Sequence, residues 1–242
     1  MISVRLGIDV TDAASWAVRL ARTPDLGRTA FTSVELDESQ GDPDRLSAVW
    51  AVKEAVVKAL GTGFHDIGWR GVEVHCPHGR PVAVRLTTVL APVPRQVRLA
   101  LRGPRPGPGG SRPVVAAAAV GTGPARIATR IERIPGLMDG PRHGRAERAS
   151  AAVRRAAEAA AADLLPGAAW SWSRTPGGAP ALRTRDGREL AVALSHGSSV
   201  VAAAVADPEP AGGDPVEHIH RQSLILNVID SDYLLAGVRA GD

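Results

Sequence analysis

The chain has 242 residues, 44 % apolar and only 3 % aromatic, with a net charge of +4. That length suits one large domain or two of about 120 residues, with a core of Ala, Val, Leu and Ile rather than rings. One cysteine, Cys76, excludes an internal disulfide and fits a reducing compartment. No leader pattern is visible and no run is apolar enough to span a bilayer, and no basic stripe is interleaved with aromatics as a nucleic-acid surface requires. A cytoplasmic, non-membrane protein is expected.

Residues 2–10, ISVRLGIDV, are rich in β-branched types and read as a strand. Residues 13–22 read as a short helix. Residues 45–60 carry Leu46, Val49, Trp50, Val56, Val57 and Leu60 at helical spacing, and Gly61-Thr62-Gly63 stops that helix. Residues 71–86 hold two alternating segments around Pro77-His78-Gly79-Arg80-Pro81, a β-hairpin pattern. A Pro/Gly/Arg loop over 102–113 leads into VVAAAAV, 114–120, which reads as buried.

A similar order then recurs. Residues 145–165 are Ala-rich and helical. Residues 170–183 read as a second hairpin around Pro176-Gly177-Gly178-Ala179-Pro180, and 189–206 end in VVAAAVA. Helix, hairpin and small-residue strand therefore occur twice. The expected organisation is a first module over 1–121, a second over 122–206 and a tail over 207–242, whose apolar run 223–229 has no functional reading.

The sharpest chemical signal is residues 50–63, WAVKEAVVKALGTG. Glu54 and Lys58, four apart, project from one helix face; alone, that is an ordinary pair worth about 0.2–0.5 kcal/mol. Yet of 29 basic residues only two are lysines, Lys53 and Lys58, and both lie here. Where arginine serves almost everywhere else, a retained lysine points to a need for a compact, flexible ammonium. An ammonium beside a carboxylate suits a site where Mg²⁺ and a pyrophosphate meet. His75, Cys76 and His78 cluster, as do His218 and His220, but neither group has a zinc spacing. No Walker loop or GxGxxG is present.

These residues resemble the phosphopantetheinyl transferases, and over residues 1–90 the small holo-acyl-carrier-protein synthase branch. The motifs run in order: Gly7-Ile8-Asp9-Val10 with Thr11-Asp12; Phe31-Thr32 with Glu35-Leu36; Lys53-Glu54-Ala55 with Lys58, Gly61, Thr62 and Gly63; then Gly79-Arg80-Pro81, where the family usually has Gly-Lys-Pro. Trp50 is more typical of the larger, surfactin-type branch. The larger branch has a further acid where this chain has Thr11, while Asp12 matches an acidic position of the small one. The Ser-His that should follow the first hairpin, near 97–113, is missing there and stands in the second half as Ser195-His196. Ala179 replaces the lysine of the second hairpin.

The resemblance implies an α+β fold of two similar modules, each a helix on an antiparallel sheet, related by a pseudo-twofold axis, with the metal-binding half first. It implies transfer of 4′-phosphopantetheine from coenzyme A to a serine of an apo carrier protein, with release of 3′,5′-ADP, by a monomer. Asp9 and Glu54 would bind Mg²⁺, and Asp9, Glu54 and Lys58 would carry the catalysis. Lys53, Arg80, Arg145, Arg148, Ser195 and His196 would contact coenzyme A; Arg142, Arg154 and Arg155 stand around the same helix as Arg145 and Arg148. One cofactor site per chain is expected, with Asp9 and Glu54 on one wall and His196 on the other. A polyketide or peptide pathway is the expected setting. The alternative is a non-catalytic carrier-protein-binding module of the same descent.

Overall fold

Each small-residue run becomes an inner strand with both faces covered. The computed structural model describes residues 4–77, 83–87, 97–102, 113–121, 125–137, 142–197 and 199–208. In chain order these form β1 (Val4–Asp12), α1 (Ala13–Arg22), α2 (Asp25–Ala30), α3 (Ser33–Ser39), α4 (Pro43–Leu60), α5 (Phe64–Ile67), β2 (Val72–His75), β3 (Ala83–Leu86), β4 (Val97–Arg102) and β5 (Pro113–Gly121). Then follow β6 (Ala125–Arg133), α6 (Arg142–Leu164), β7 (Trp170–Arg174), β8 (Pro180–Thr184), β9 (Glu189–His196) and β10 (Val200–Pro208).

The sheets have the orders β1-β5-β4 and β6-β10-β9-β8-β7, with β2-β3 as a separate pair. All pairings are antiparallel, so the fold is α+β. Successive strand residues face opposite ways, and both central strands use this alternation. Val114, Ala116, Ala118 and Val120 of β5 pack with α4, whereas Val115 and Ala117 meet Ala193, Val200, Ala202 and Ala204 of the second sheet. From β10, Val201, Ala203 and Val205 pack with α6. The layers run α4, first sheet, second sheet, α6. Alanine is common where the two sheets meet because small side chains let them approach.

The strands β1-β5-β4 and β6-β10-β9 share one pairing order, although β2-β3 is a separate pair and β8-β7 continues the second sheet. In β1, Val4 pairs with Gly121 and Asp12 with Pro113; in β6, Ala125 pairs with Pro208 and Arg133 with Val200. β4 pairs with β5 as β9 pairs with β10. Counting along these equal registers, Arg130, opposite Ala203, occupies the position that Asp9 holds opposite Ala116.

The helices expected over 13–22, 45–60 and 145–165, both hairpins and both small-residue strands are present. Residues 189–206 are two strands, turning at Gly197. β4 and β6 had no counterpart in the sequence reading, and α2, α3 and α5 are too short for a helical period to declare itself. The first hairpin's turn with Arg80 and His78, the loop 103–112 and the tail from 209, with His218 and His220, lie outside the described residues. Among the described residues no helix is long and apolar enough to cross a membrane.

Candidate active site

α4 is fixed at both ends by its sequence. Asp42 caps its N-terminus by accepting from the Asp44 amide at 2.8 Å, Pro43 opens it, and Gly61 closes it in a left-handed conformation. Its approach to β1 is set by Gly7: a Cβ there would lie 1.9 Å from the Ala55 carbonyl oxygen and 2.7 Å from the Ala59 nitrogen. Backbone therefore touches backbone. The residues beside Ala55 and Ala59, Glu54 and Lys58, are brought to the next residue of β1 on that face, Asp9.

Asp9 is buried, with 12 % of its side chain exposed. Its Oδ1 accepts from Lys58 Nζ at 2.6 Å, and its Oδ2 from Thr11 Oγ1 at 2.9 Å. Lys58 Nζ also donates to the Ile8 carbonyl at 3.2 Å. Glu54 is half-buried, and its pKa is raised, first by burial and then by the charge of Asp9; Lys58 acts the other way. Lys58 is thus paired with Asp9, while its charge also acts on Glu54. The fourth member comes from the other half: Ser195 Oγ lies 3.5 Å from Asp9 Oδ1, across 186 positions of sequence. The β9–β10 turn sits close by, since a Cβ on Gly197 would be 3.1 Å from Val10 Cγ1.

His196 does not join Asp9. Ser195 shares the strand face of Ala191 and Ala193, which meets the first sheet, while His196 is on the face of Leu190, Val192 and Leu194, which meets α6. Ser195 is thus the residue of β9 that faces Asp9, and His196 is exposed at the end of the strand. Arg145 is half-buried and Arg148 exposed in the first turns of α6. Arg154 instead lies over the Trp172 ring at 5.5 Å.

Lys53 is the clearest correction. Its side chain is 0 % exposed and its ammonium lies 2.7 Å from Glu35 Oε2, itself 0 % exposed. It also donates to the carbonyls of Ala30 at 3.0 Å and Trp69 at 2.9 Å. With its three donors engaged, Lys53 is structural and has no reach to a cofactor. Burial lowers its pKa, opposed chiefly by Glu35. Glu35 and Thr11 stand in the sequence motifs above without a role of their own. Thr32 and Glu35 form a capping box at α3, and the Thr-x-x-Glu spacing was its visible signal. Asp12 caps α1, accepting from the Ser15 amide at 3.2 Å.

Among the described residues no group of three or more His, Cys, Asp and Glu side chains could hold a metal ion. Two carboxylates are nevertheless a fitting donor set for Mg²⁺, which is bound through one or two carboxylates while water and substrate phosphates fill the remaining positions. The raised pKa of Glu54 beside Asp9 is the electrostatic counterpart: negative charge is crowded where a cation would relieve it.

The family model for the 4′-phosphopantetheinyl transferase superfamily matches residues 5–103. A holo-[acyl-carrier-protein] synthase of Frankia casuarinae is 36 % identical over 91 residues, which cover 38 % of this chain and 75 % of the relative. That of Frankia alni is 33 % identical over 100 residues, covering 41 % and 82 %. A solved structure, the "Chronobacterium ammoniagenes ACPS-CoA complex", aligns with a TM-score of 0.39 and 21 % identity over 49 % of this chain and 96 % of that one.

Proposed function

Because the chain belongs to the 4′-phosphopantetheinyl transferase superfamily, we propose that it moves the phosphopantetheine arm of coenzyme A onto a serine of an apo carrier protein. The supporting observation is the convergence of Asp9, Glu54 and Lys58 on one side with Ser195 from the other half. The serine oxygen forms a bond to the β-phosphorus, the bond from that phosphorus to the departing 3′,5′-ADP breaks, and the serine proton passes to a base.

Asp9 and Glu54 are the residues to hold Mg²⁺, which when bound neutralises charge on the pyrophosphate. Lys58 has three N–H donors. Two serve Asp9 and Ile8, and the third is left for a phosphate oxygen of the departing group. His196, exposed one residue beyond Ser195, and Arg145 and Arg148 on α6 are the proposed cofactor contacts. Arg80, of the Gly79-Arg80-Pro81 motif, is a further one.

The modules 1–121 and 122–206 form one such site rather than two. At the register position of Asp9 the second half carries Arg130, and its partner on α6 is Asp163, 2.5 Å away. The pair has the charges of Asp9 and Lys58 reversed, so no second metal site results.

The test is to incubate the chain with coenzyme A, Mg²⁺ and a panel of apo acyl and peptidyl carriers, and to weigh the carriers. At least one should gain the arm. If none does while the chain still binds a carrier, it is a binding module of the same descent.

A further inference from the structure

The Asp9 carboxylate is engaged unevenly. A carboxylate has about four acceptor positions, two on each oxygen. Lys58 Nζ at 2.6 Å and Ser195 Oγ at 3.5 Å both address Oδ1. Thr11 Oγ1, at 2.9 Å, is the hydroxyl bonded to Oδ2. Thr11 is two residues further along β1 and so projects from the same face as Asp9. Its backbone is already committed to the ladder, opposite Val114.

From this geometry we propose that Thr11 is a positioning residue for the metal site. Its hydroxyl fixes the rotation of the Asp9 carboxylate, keeps Oδ1 turned to Lys58 and Ser195, and presents Oδ2, with one acceptor position remaining, as the oxygen available to a divalent cation. The inference rests on the reading of Asp9 and Glu54 as the Mg²⁺ pair. It gives position 11 a use that a metal-binding acid would not have: a hydroxyl donates to the carboxylate, whereas an ionised acid could only accept.

The physical argument separates the hydroxyl from the rest of the side chain. Thr11→Val keeps the shape, the β-branch and the strand preference but removes the donor. Thr11→Ser keeps the donor and removes the methyl group. A role confined to packing would be lost in the serine variant and kept in the valine variant; a positioning role predicts the reverse.

The experiment titrates Mg²⁺ alone into the full chain by calorimetry, for the wild type, Thr11→Val and Thr11→Ser, with melting temperatures measured alongside. Loss of one oriented hydrogen bond should weaken Mg²⁺ binding roughly three- to ten-fold in Thr11→Val, with its melting temperature held and Thr11→Ser close to wild type. Unchanged Mg²⁺ affinity in Thr11→Val overturns the inference, as does a serine variant as weak as the valine one. If the wild type neither binds Mg²⁺ nor modifies a carrier, the transferase reading falls and this inference falls with it. If the wild type does both and Thr11→Val binds Mg²⁺ equally well, only this inference falls.

Discussion

A β-carbon placed on Gly7 would sit 1.9 Å from the carbonyl oxygen of Ala55. Both are backbone positions of packed elements, so no side-chain rotation can relieve the overlap. Gly7→Ala must therefore push α4 away from β1, and with it Glu54 and Lys58 away from Asp9. Overpacking of a core typically costs about 1–3 kcal/mol, and a backbone-to-backbone clash belongs at the upper end. Urea unfolding of Gly7→Ala should show that loss, and the folded fraction should transfer the phosphopantetheine arm poorly. A Gly7→Ala protein with wild-type stability would show that the helix is not held against the strand here.

The Lys53–Glu35 pair gives a different kind of test. Both side chains are 0 % exposed, 2.7 Å apart, and Glu35 also accepts from the Val74 amide at 2.8 Å. Removing one charge leaves the other buried and unpaired, which costs about 3–5 kcal/mol. Lys53→Met should therefore lower stability by that order, and Lys53→Met with Glu35→Gln should recover part of it. The KM for coenzyme A measured on folded Lys53→Met protein should stay at the wild-type value. A selective rise in KM without loss of stability would return Lys53 to the cofactor site.

Glu54 links the site to pH. Its pKa is raised in the folded chain by burial and by Asp9. A carboxyl raised on folding contributes stability that is fully present below its unfolded value, about 4.3, and lost as pH climbs through the folded value. Above both, the ionised group opposes folding. In the absence of Mg²⁺, Glu54→Gln should therefore melt higher than the wild type at pH 7, and the difference should close below about pH 4. Added Mg²⁺ should stabilise the wild type, because it binds the native state, and the variant less. Turnover of Glu54→Gln should be nearly abolished. A variant that melts lower at pH 7 would mean that Glu54 is better satisfied than its surroundings indicate.

The sequence reading identified the elements that carry a long period and missed what depends on facing. The apolar spacing of 45–60 and the stop at Gly61 marked α4, and the position of Glu54 and Lys58 on one face followed from helix geometry. Lys53 and Glu54 are adjacent in sequence yet point to different surroundings, one to Glu35 and one to Asp9. Only the packing of α4 against β1 on one side and α3 and β2 on the other separates them. The same holds for Ser195 and His196: strand alternation makes them opposites, but which faces Asp9 depends on which sheet β9 packs against. β6, ARIATRIER, went unread although its apolar residues alternate for part of its length; three arginines along nine residues hid a strand that pairs on one side with β10.

The last prediction concerns the number of sites, and it follows from the reversed pair in the second half. A chain whose two sheets share the pairing order of their first three strands could carry two metal sites, one at each register position. At the first, Asp9 on a strand meets Lys58 on a helix, with Glu54 alongside. At the second, Arg130 on a strand meets Asp163 on a helix. An arginine there repels a divalent cation, and Asp163 is already paired, so Mg²⁺ and coenzyme A should bind once per chain. Titration calorimetry of Mg²⁺ in the presence of coenzyme A should return a stoichiometry of one. Asp9→Asn should abolish the metal binding. Arg130→Ala should leave it unchanged and cost little stability, because the pair it breaks is nearly half exposed on both sides. His196→Ala should weaken coenzyme A binding while leaving Mg²⁺ affinity close to wild type, since the histidine faces away from Asp9. Two equivalents of metal per chain would show a second site, and stoichiometric binding that survives Asp9→Asn would place the working site away from Asp9.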